Sequence, residues 1–419
     1  MIKTPSGAFI CLPILCALGL AERSHGAGYK FAEIVDNASP APVGTGFKIF
    51  GSTLSGHTVA FYGAYASQGA SGAFTTTGGP LTSIGKSGDQ APIGTFLTDQ
   101  FAINAASIGD GVTAFTGSYG TGVNRQGRGV FSGSGGPITT IAKTGDPAPI
   151  GTFSDFPGSP ATSSGSVAFL GEYASGEGIF VGNGGALTTI AKKGDGSVIG
   201  ALTSFSDPDI SDGLVAFQAR SATGAGIFTS SGGAVTPLIT TAHVTPFGMF
   251  TNISSPLVSG NTVAFVGSHP GGRGIFATDG VTLETIVKSG DPAPAGTFGS
   301  VFLPSFSHGK VAFVAEDAFG RGIFLASGDS APAIIRVGDP LFGSTVSQLF
   351  HLSLDAAGSG NIAFTYRLAT GLLGIALASP VPEPGAMGLA MLACTAAGLS
   401  RISHRRPVDL KSRPSSFSL

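Results

Sequence analysis

The residues best placed to do chemistry recur along the chain. After a short β-branched run the sequence writes Gly-Asp, completed as Gly-Asp-Pro-Ala-Pro at Gly145–Pro149 and Gly290–Pro294. Aligned without gaps from the preceding strand, the seven equivalent positions are Ser39, Asp89, Asp146, Asp195, His243, Asp291 and Asp339. Carboxylates gathered in a ring could hold a hard cation such as Ca²⁺, which takes about six to eight oxygen ligands. An Asp ahead of Pro also accepts backbone hydrogen bonds inside its own turn. Repetition favours the turn, because a binding site needs its ligands once. His243 breaks the pattern: an imidazole oriented by a neighbouring carboxylate could move protons, whereas the Thr-rich run 236–241 before it marks a repeat that has drifted. Other reaction centres leave no trace. The chain has no Gly-x-Ser-x-Gly elbow, His-Glu-x-x-His, Cys-x-x-Cys or phosphate loop. His57, His269, His308 and His351 lack metal-ligand spacing.

The turns recur because the whole chain does. A close variant of Val-Ala-Phe occurs seven times, with Phe61, Phe115, Phe169, Phe217, Phe265, Phe313 and Phe364 at intervals of 48 to 54 residues. A period of about fifty residues holds four strands. Each unit accordingly carries four short runs, such as Gly296–Ser305, Gly309–Val314, Gly322–Leu325 and one like Leu187–Ala191, rich in β-branched and aromatic residues and parted by Gly-Gly, Ser-Gly or Gly-Asp. The order of the runs is informative. A lone fourth strand, Ala32–Val35, comes first, and the last unit stops at a third strand, Gly374–Leu377. One N-terminal and three C-terminal strands complete a ring, which an open solenoid would not require. The sequence therefore predicts an all-β fold, a seven-bladed β-propeller over residues 28–380, closed by an N-terminal outer strand so that no sheet edge stays free.

Composition agrees. The chain has 419 residues with 67 Gly, 26 Pro, 31 Phe and no Trp, and only 11% are charged, against ~25% in ordinary soluble domains. So many aromatics and so few charges exclude disorder, and the glycines keep no collagen period. Gly and Pro at this density exclude long helices. Residues 28–380 carry an excess of acidic over basic groups with no basic stripe, which excludes a nucleic-acid partner. Lys3, the apolar run Ala8–Leu20 and the small residues ending at Ala21 read as a signal peptide, 1–21. Cys11, Cys16 and Cys394 all lie in the end segments, so the body has no disulfide or thiolate chemistry.

At the other end, Pro382, Glu383 and Pro384 precede the uncharged run Ala386–Leu399, followed by Arg401, Arg405 and Arg406. As a helix that run rises about 21 Å, short of the ~30 Å hydrocarbon core, and the arginines with a tail of 407–419 would stay cytoplasmic. Over residues 381–406 this order resembles the PEP-CTERM sorting signal of Gram-negative bacteria, though the tail is longer than such signals usually carry. The resemblance implies an exosortase-type processing enzyme as partner, transient inner-membrane anchoring, and release to the cell surface or extracellular matrix. The run Pro304–Phe313 looks like the blade repeat of TolB-type propellers. The whole array resembles exported bacterial proteins with a tandem NxxGxxAF repeat. Gly111, Gly165, Gly213, Gly309 and Gly360 fit Gly-x-x-Ala-Phe, Gly56 and Gly260 sit one residue upstream, and the leading Asn is missing from all five. Neither resemblance implies a catalytic activity or a cofactor.

In such a ring the Asp turns share a face with the loops between second and third strands, expected near 65–72, 118–128, 172–177, 221–225, 268–273 and 316–321. Unrepeated charges collect there: Arg125, Arg128, Glu172, Glu177, Arg273, Glu316, Asp317 and Arg321. Arg128, Glu172, Arg273, Arg321 and His243 are the candidate ligand contacts, with Tyr65, Tyr119 and Tyr173 beside them for sugar stacking. The expected function is an exported, non-catalytic surface or matrix protein whose propeller face binds polysaccharide or another exported protein. The alternative is a secreted or periplasmic glycan lyase or hydrolase with its site at the propeller mouth. No metal or other cofactor is expected. Mass spectrometry of the mature protein should find neither the first 21 residues nor the apolar segment after residue 382; a C-terminus at Leu419 would reduce that segment to an anchor.

Overall fold

The computed structural model describes residues 28–41, 46–65, 69–99, 101–122, 124–328 and 330–381. Ala21 and the sorting residues Pro382, Glu383, Pro384, Arg401, Arg405 and Arg406 lie outside them. The described residues form strands and turns without a helix, and so hold no helix long and apolar enough to cross a membrane. Seven antiparallel sheets stand around an axis. Blade 6 shows the plan: an inner strand Val301–Ser307, a second strand Lys310–Asp317, a third strand Gly320–Ala326 and an outer strand Ala333–Arg336. Blades 1 to 5 span 47–86, 95–143, 153–192, 200–240 and 252–288. Blade 7 takes three strands from 344–380 and its outer strand from Tyr29–Asp36.

That last pairing closes the ring as a seven-bladed β-propeller. Tyr29–Asp36 runs antiparallel to Leu373–Pro380 with Tyr29 opposite Pro380, a longer overlap than the two runs read from the sequence. The Val381 N–H donates to the Gly28 carbonyl at 2.5 Å, and the Asn37 N–H to the Leu373 carbonyl at 2.8 Å. Between those ends the Tyr366 hydroxyl donates to Glu33 Oε1 at 3.0 Å. Burial, and then the Glu33 charge, push the Tyr366 pKa far above its usual value.

The blades pack through a repeated aromatic cluster. The second- and third-strand Phe pair lies face to face, as in Phe265–Phe276 at 5.7 Å and 27°. A third ring enters from the segment before the inner strand and meets the third-strand Phe edge-on. Phe96–Phe131, Phe153–Phe180, Phe250–Phe276 and Phe298–Phe324 all sit at 5.0 Å with interplanar angles of 81° to 88°. Such pairs add about 0.5–1.5 kcal/mol each beyond burial. The third ring needs bare backbone beneath it: a Cβ on Gly267 would lie 2.5 Å from the Phe250 ring.

Tight turns explain where the repeat's glycine falls. Asp110-Gly111, Ser164-Gly165, Asp212-Gly213 and His308-Gly309 have positive φ at both central residues, the type I′ pattern. At Gly56 and Gly260 only the first central residue does, the pattern of type II′, which wants Gly one position earlier. The one-residue displacement in the sequence is thus a change of turn type.

The inner strands leave one edge of N–H groups without a ladder partner, and side chains of the preceding blade cap it. Ser163 Oγ accepts from the Asp212 N–H at 3.1 Å, Ser211 from Gly260 at 3.2 Å and Ser259 from His308 at 3.0 Å. Asp110 accepts from Ser164 at 2.8 Å, and Asp355 accepts across the ring closure from Gly56 at 2.6 Å. Deeper in, Asp209 Oδ2 accepts from Val258 at 2.7 Å. Burial pushes the Asp209 pKa up to about 6. Deleting residues 28–35 removes these closing contacts and exposes Leu373–Pro380 as an edge. Burial of Ile34 and Val35 alone contributes roughly 1.5–3 kcal/mol each, so the melting temperature should fall by about 10 °C or more. Unchanged melting in a differential scanning experiment would refute the closure.

Candidate functional site

The repeated aspartates are consumed by their own turns. Asp89, Asp146, Asp195, Asp291 and Asp339 each accept the N–H of the residue three positions back, at 2.8 to 3.0 Å. Where that residue is lysine, its ammonium takes the other carboxylate oxygen: Lys86–Asp89, Lys143–Asp146, Lys192–Asp195 and Lys288–Asp291. Ser39 does the same work with a hydroxyl, accepting the Asp36 N–H at 3.0 Å. Among the described residues no group of three or more His, Cys, Asp and Glu could hold a metal ion. His243 is exposed, and its N–H donates to the Thr240 carbonyl at 3.0 Å.

The expected loops between second and third strands are shorter than the sequence suggested. Strands run almost to the turn, so Arg128, Glu172, Arg273 and Arg321 are strand residues rather than loop residues. Tight hairpins produce this, because Tyr173 pairs with Gly176 and leaves two residues to turn. Arg128 and Glu172 meet at one junction: Arg128 Nη1 lies 3.8 Å from Asp155 Oδ1, and Asp155 is the cross-strand partner of Glu172. Arg273 is exposed on blade 5 and makes no ion pair among the described residues.

Tyr65, Tyr119 and Tyr173 are corrected outright. They are buried, 3%, 1% and 5% exposed, with their rings against the third-strand Phe74, Phe131 and Phe180. Burial, then the Asp89 charge, push the Tyr65 pKa up to about 12. They are core side chains and stack on no ligand.

Blade 6 departs from this arrangement. Four residues past the second-strand Phe, where blades 1 to 3 place tyrosine and blade 5 the buried His269, it has Asp317. A carboxylate buried there needs a partner. Arg336, which replaces the repeated lysine, supplies it with Nη2–Oδ2 at 2.6 Å and Nε–Oδ1 at 3.4 Å, leaving Asp339 only the backbone N–H. The turn that follows carries Phe319, 73% exposed, where blades 3, 4 and 5 have Ser175, Thr223 and Gly271.

Beside that turn a groove of about 570 Å³ opens between blades 6 and 7. Two bulged inner strands shape it. Blade 6 shifts register between Phe302 and Ser305 with Leu303 at φ 50°, and blade 7 shifts between Leu349 and Leu352. Bulges re-aim side chains, and here Leu303, Phe350 and His351 line the groove. Arg321 enters from the third strand of blade 6, its guanidinium 4.5 Å over the Phe302 ring and its Nε buried without a hydrogen-bond partner. Desolvation pulls the His351 pKa below its usual value, which leaves a neutral imidazole. Of the candidates read from the sequence, Arg321 alone lines this groove. Phe319, Gln348 and His351 were missed, although an aromatic residue in a turn that otherwise carries small residues was a visible signal.

Residues 21–387 match a family of unknown function, DUF7453. The chain belongs to DUF7453. No curated protein matches it in sequence. The β-propeller domain of the trilobed protease from Pyrococcus furiosus is similar in structure, with a TM-score of 0.52 at 9% identity over 80% of this chain and 98% of that one. An acylaminoacyl peptidase from Pyrococcus horikoshii gives 0.49 at 10% identity, over 83% of this chain and 54% of that one. A prolyl endopeptidase gives 0.48 at 13%, over 83% and 46%. The first likeness establishes the propeller fold and nothing more. The archaeal protease propeller is described as having an open velcro topology, whereas this DUF7453 chain is closed by Tyr29–Asp36.

The turn geometry makes its own prediction. Asp146→Ala should cost about 1.5–3 kcal/mol, the range for a lost hydrogen bond to a charged acceptor. Calcium or a chelator should leave the melting temperature of the unmutated chain unchanged. A rise of several degrees with calcium would restore the cation ring.

Proposed function

We propose that this DUF7453 chain is an exported, non-catalytic binding protein that engages an extracellular polysaccharide on the face formed by the Asp turns and the second-to-third-strand hairpins. One observation carries the reading. On a face where turn aspartates and lysines neutralise one another, the groove between blades 6 and 7 holds an exposed aromatic ring beside a guanidinium with no carboxylate. Arg321 lies over Phe302, and Arg336 approaches the Phe319 ring at 5.6 Å, but these contacts neither neutralise the Arg321 charge nor cover Phe319. Ile93, Ile150, Val198 and Val244 stand exposed at the tips of the Asp-turn hairpins on the same face, so the C–H surface of a sugar polymer would meet a largely apolar rim.

Strand direction supports the surface role. Third strands run away from this face, so Val381 and Gly28 both lie at the opposite one, joined by their backbone hydrogen bond. A chain held by the segment after residue 381 would present the groove outward. Removal of 1–21 and handling of 381–406 by an exosortase-type enzyme, with transient inner-membrane anchoring, belong to the same proposal. The tyrosines an enzyme reading would have drawn on are core residues.

Several weak contacts on separate blades raise avidity for a polymer. Arg321→Ala should weaken binding of the full chain in a glycan-binding screen at least tenfold, and adding Arg273→Ala should weaken it further for long polymers. Lys310→Ala, on the opposite face, should do neither, and melting should hardly change in any of the three. Equal loss from both faces would mean non-specific adhesion. Depolymerised product that disappears with His243→Ala would overturn the non-catalytic reading.

A further inference from the structure

We propose that the groove between blades 6 and 7 selects a carboxylate-bearing sugar, a uronate or comparable acidic unit of a glycan, with Arg321 pairing the carboxylate and Phe319 carrying the C–H face of the ring. This rests on the polysaccharide reading and makes it specific.

Of the bases near the groove, Arg336 is committed to Asp317, and Arg367, exposed on blade 7, lies over the Phe350 ring at 5.8 Å. On blades 2 and 3, Arg125 and Arg128 share Asp155. Arg321 lies opposite Glu316 in the strand register, yet the two form no ion pair. Its guanidinium stacks on Phe302 instead, which fixes the plane of the group and removes water from one side of it. The Nε–H is buried and unpaired. A guanidinium held in one plane offers two parallel N–H donors, and a carboxylate accepts both at once. One acidic group at the Nη edge of this guanidinium therefore neutralises a charge that Glu316 leaves unpaired.

The remaining lining fits the rest of a sugar. Phe319 presents a flat apolar surface 73% exposed, suited to the C–H face of a pyranose. Gln348 and His351, on the blade 7 wall, offer uncharged donors and acceptors for hydroxyls, and the depressed His351 pKa keeps that ring from adding a second charge. A planar guanidinium fork matches a flat carboxylate better than a phosphate or sulfate ester, whose three oxygens call for more donors. The 570 Å³ volume admits one or two sugar units.

Calorimetric titration of the full chain with a galacturonate hexamer and with its carboxyl-reduced, neutral counterpart tests this. The galacturonate hexamer should bind at least tenfold more tightly. Arg321→Gln should abolish that preference, bringing the two oligomers within about twofold of each other, because a neutral amide cannot pair the carboxylate. Arg321→Lys, which keeps the charge and loses the fork, should restore only part of it. Phe319→Ala should weaken both oligomers equally, since stacking ignores the carboxylate. Retained melting temperatures show that the variants are folded. Equal binding of the two oligomers by the unmutated chain overturns the uronate assignment and leaves the polysaccharide reading standing. Binding of neither overturns both. An oligoglutamate peptide that competes at the same concentration as the hexamer overturns the sugar assignment in favour of an acidic peptide.

Discussion

Each blade is a thin sheet whose two broad faces and inner edge must be covered by its neighbours in the ring. The aromatic cluster meets the first half of that constraint. A ring from the Asp-turn segment drops edge-on against the stacked pair from the second and third strands, as Phe298 does against Phe324 at 5.0 Å and 88°. This explains why glycine lies beneath the rings. At Gly267, and likewise at Gly117, where a Cβ would come 2.6 Å from the Phe96 ring, any side chain would push the third ring out of its blade's cluster. The repeat is conserved within the molecule because seven copies of one packing problem have nearly one solution.

Edges impose the second half. An inner strand has a ladder partner on one side only, and an unpaired buried N–H is costly. Serine and aspartate side chains reach from one blade to the next to cap those groups, and Asp355 to Gly56 carries the pattern across the point where the chain closes. The outer strand of blade 7 covers the last free edge. Closure, capping and packing thus depend on one another. A missing blade would strand a row of donors as well as a face of phenylalanines.

Function then appears where the repeat is broken. Replacing tyrosine with Asp317 draws the Arg336 side chain away from its turn, and the neighbouring hairpin acquires Phe319, still 73% exposed, and Arg321, which meets no carboxylate. The bulged inner strand of blade 7 pushes Phe350 and His351 toward them. The five turn aspartates, by contrast, were the most eye-catching chemistry in the sequence and are structural. Repetition marks what the scaffold needs in every blade, while an unrepeated side chain is free to serve a ligand.

The sequence by itself determined the all-β class, the count of seven and the closure by an N-terminal strand, because each is written in one dimension: a period, a strand order, a phase. It also placed Arg321 among the candidates, since charge and approximate face follow from position in the repeat. Whether Tyr65, Tyr119 and Tyr173 faced ligand or core could not be read that way. They sit at strand ends where one residue of register separates exposure from burial, and only the pairing across the hairpin settled it. The groove was equally illegible. It is made by two bulges in strands from different blades, forty-odd residues apart in the chain, and by a guanidinium whose intended carboxylate, Glu316, lies opposite in register yet pairs with nothing. Such a vacancy exists only in three dimensions, because it depends on which neighbours the fold brings near and which it leaves out of reach.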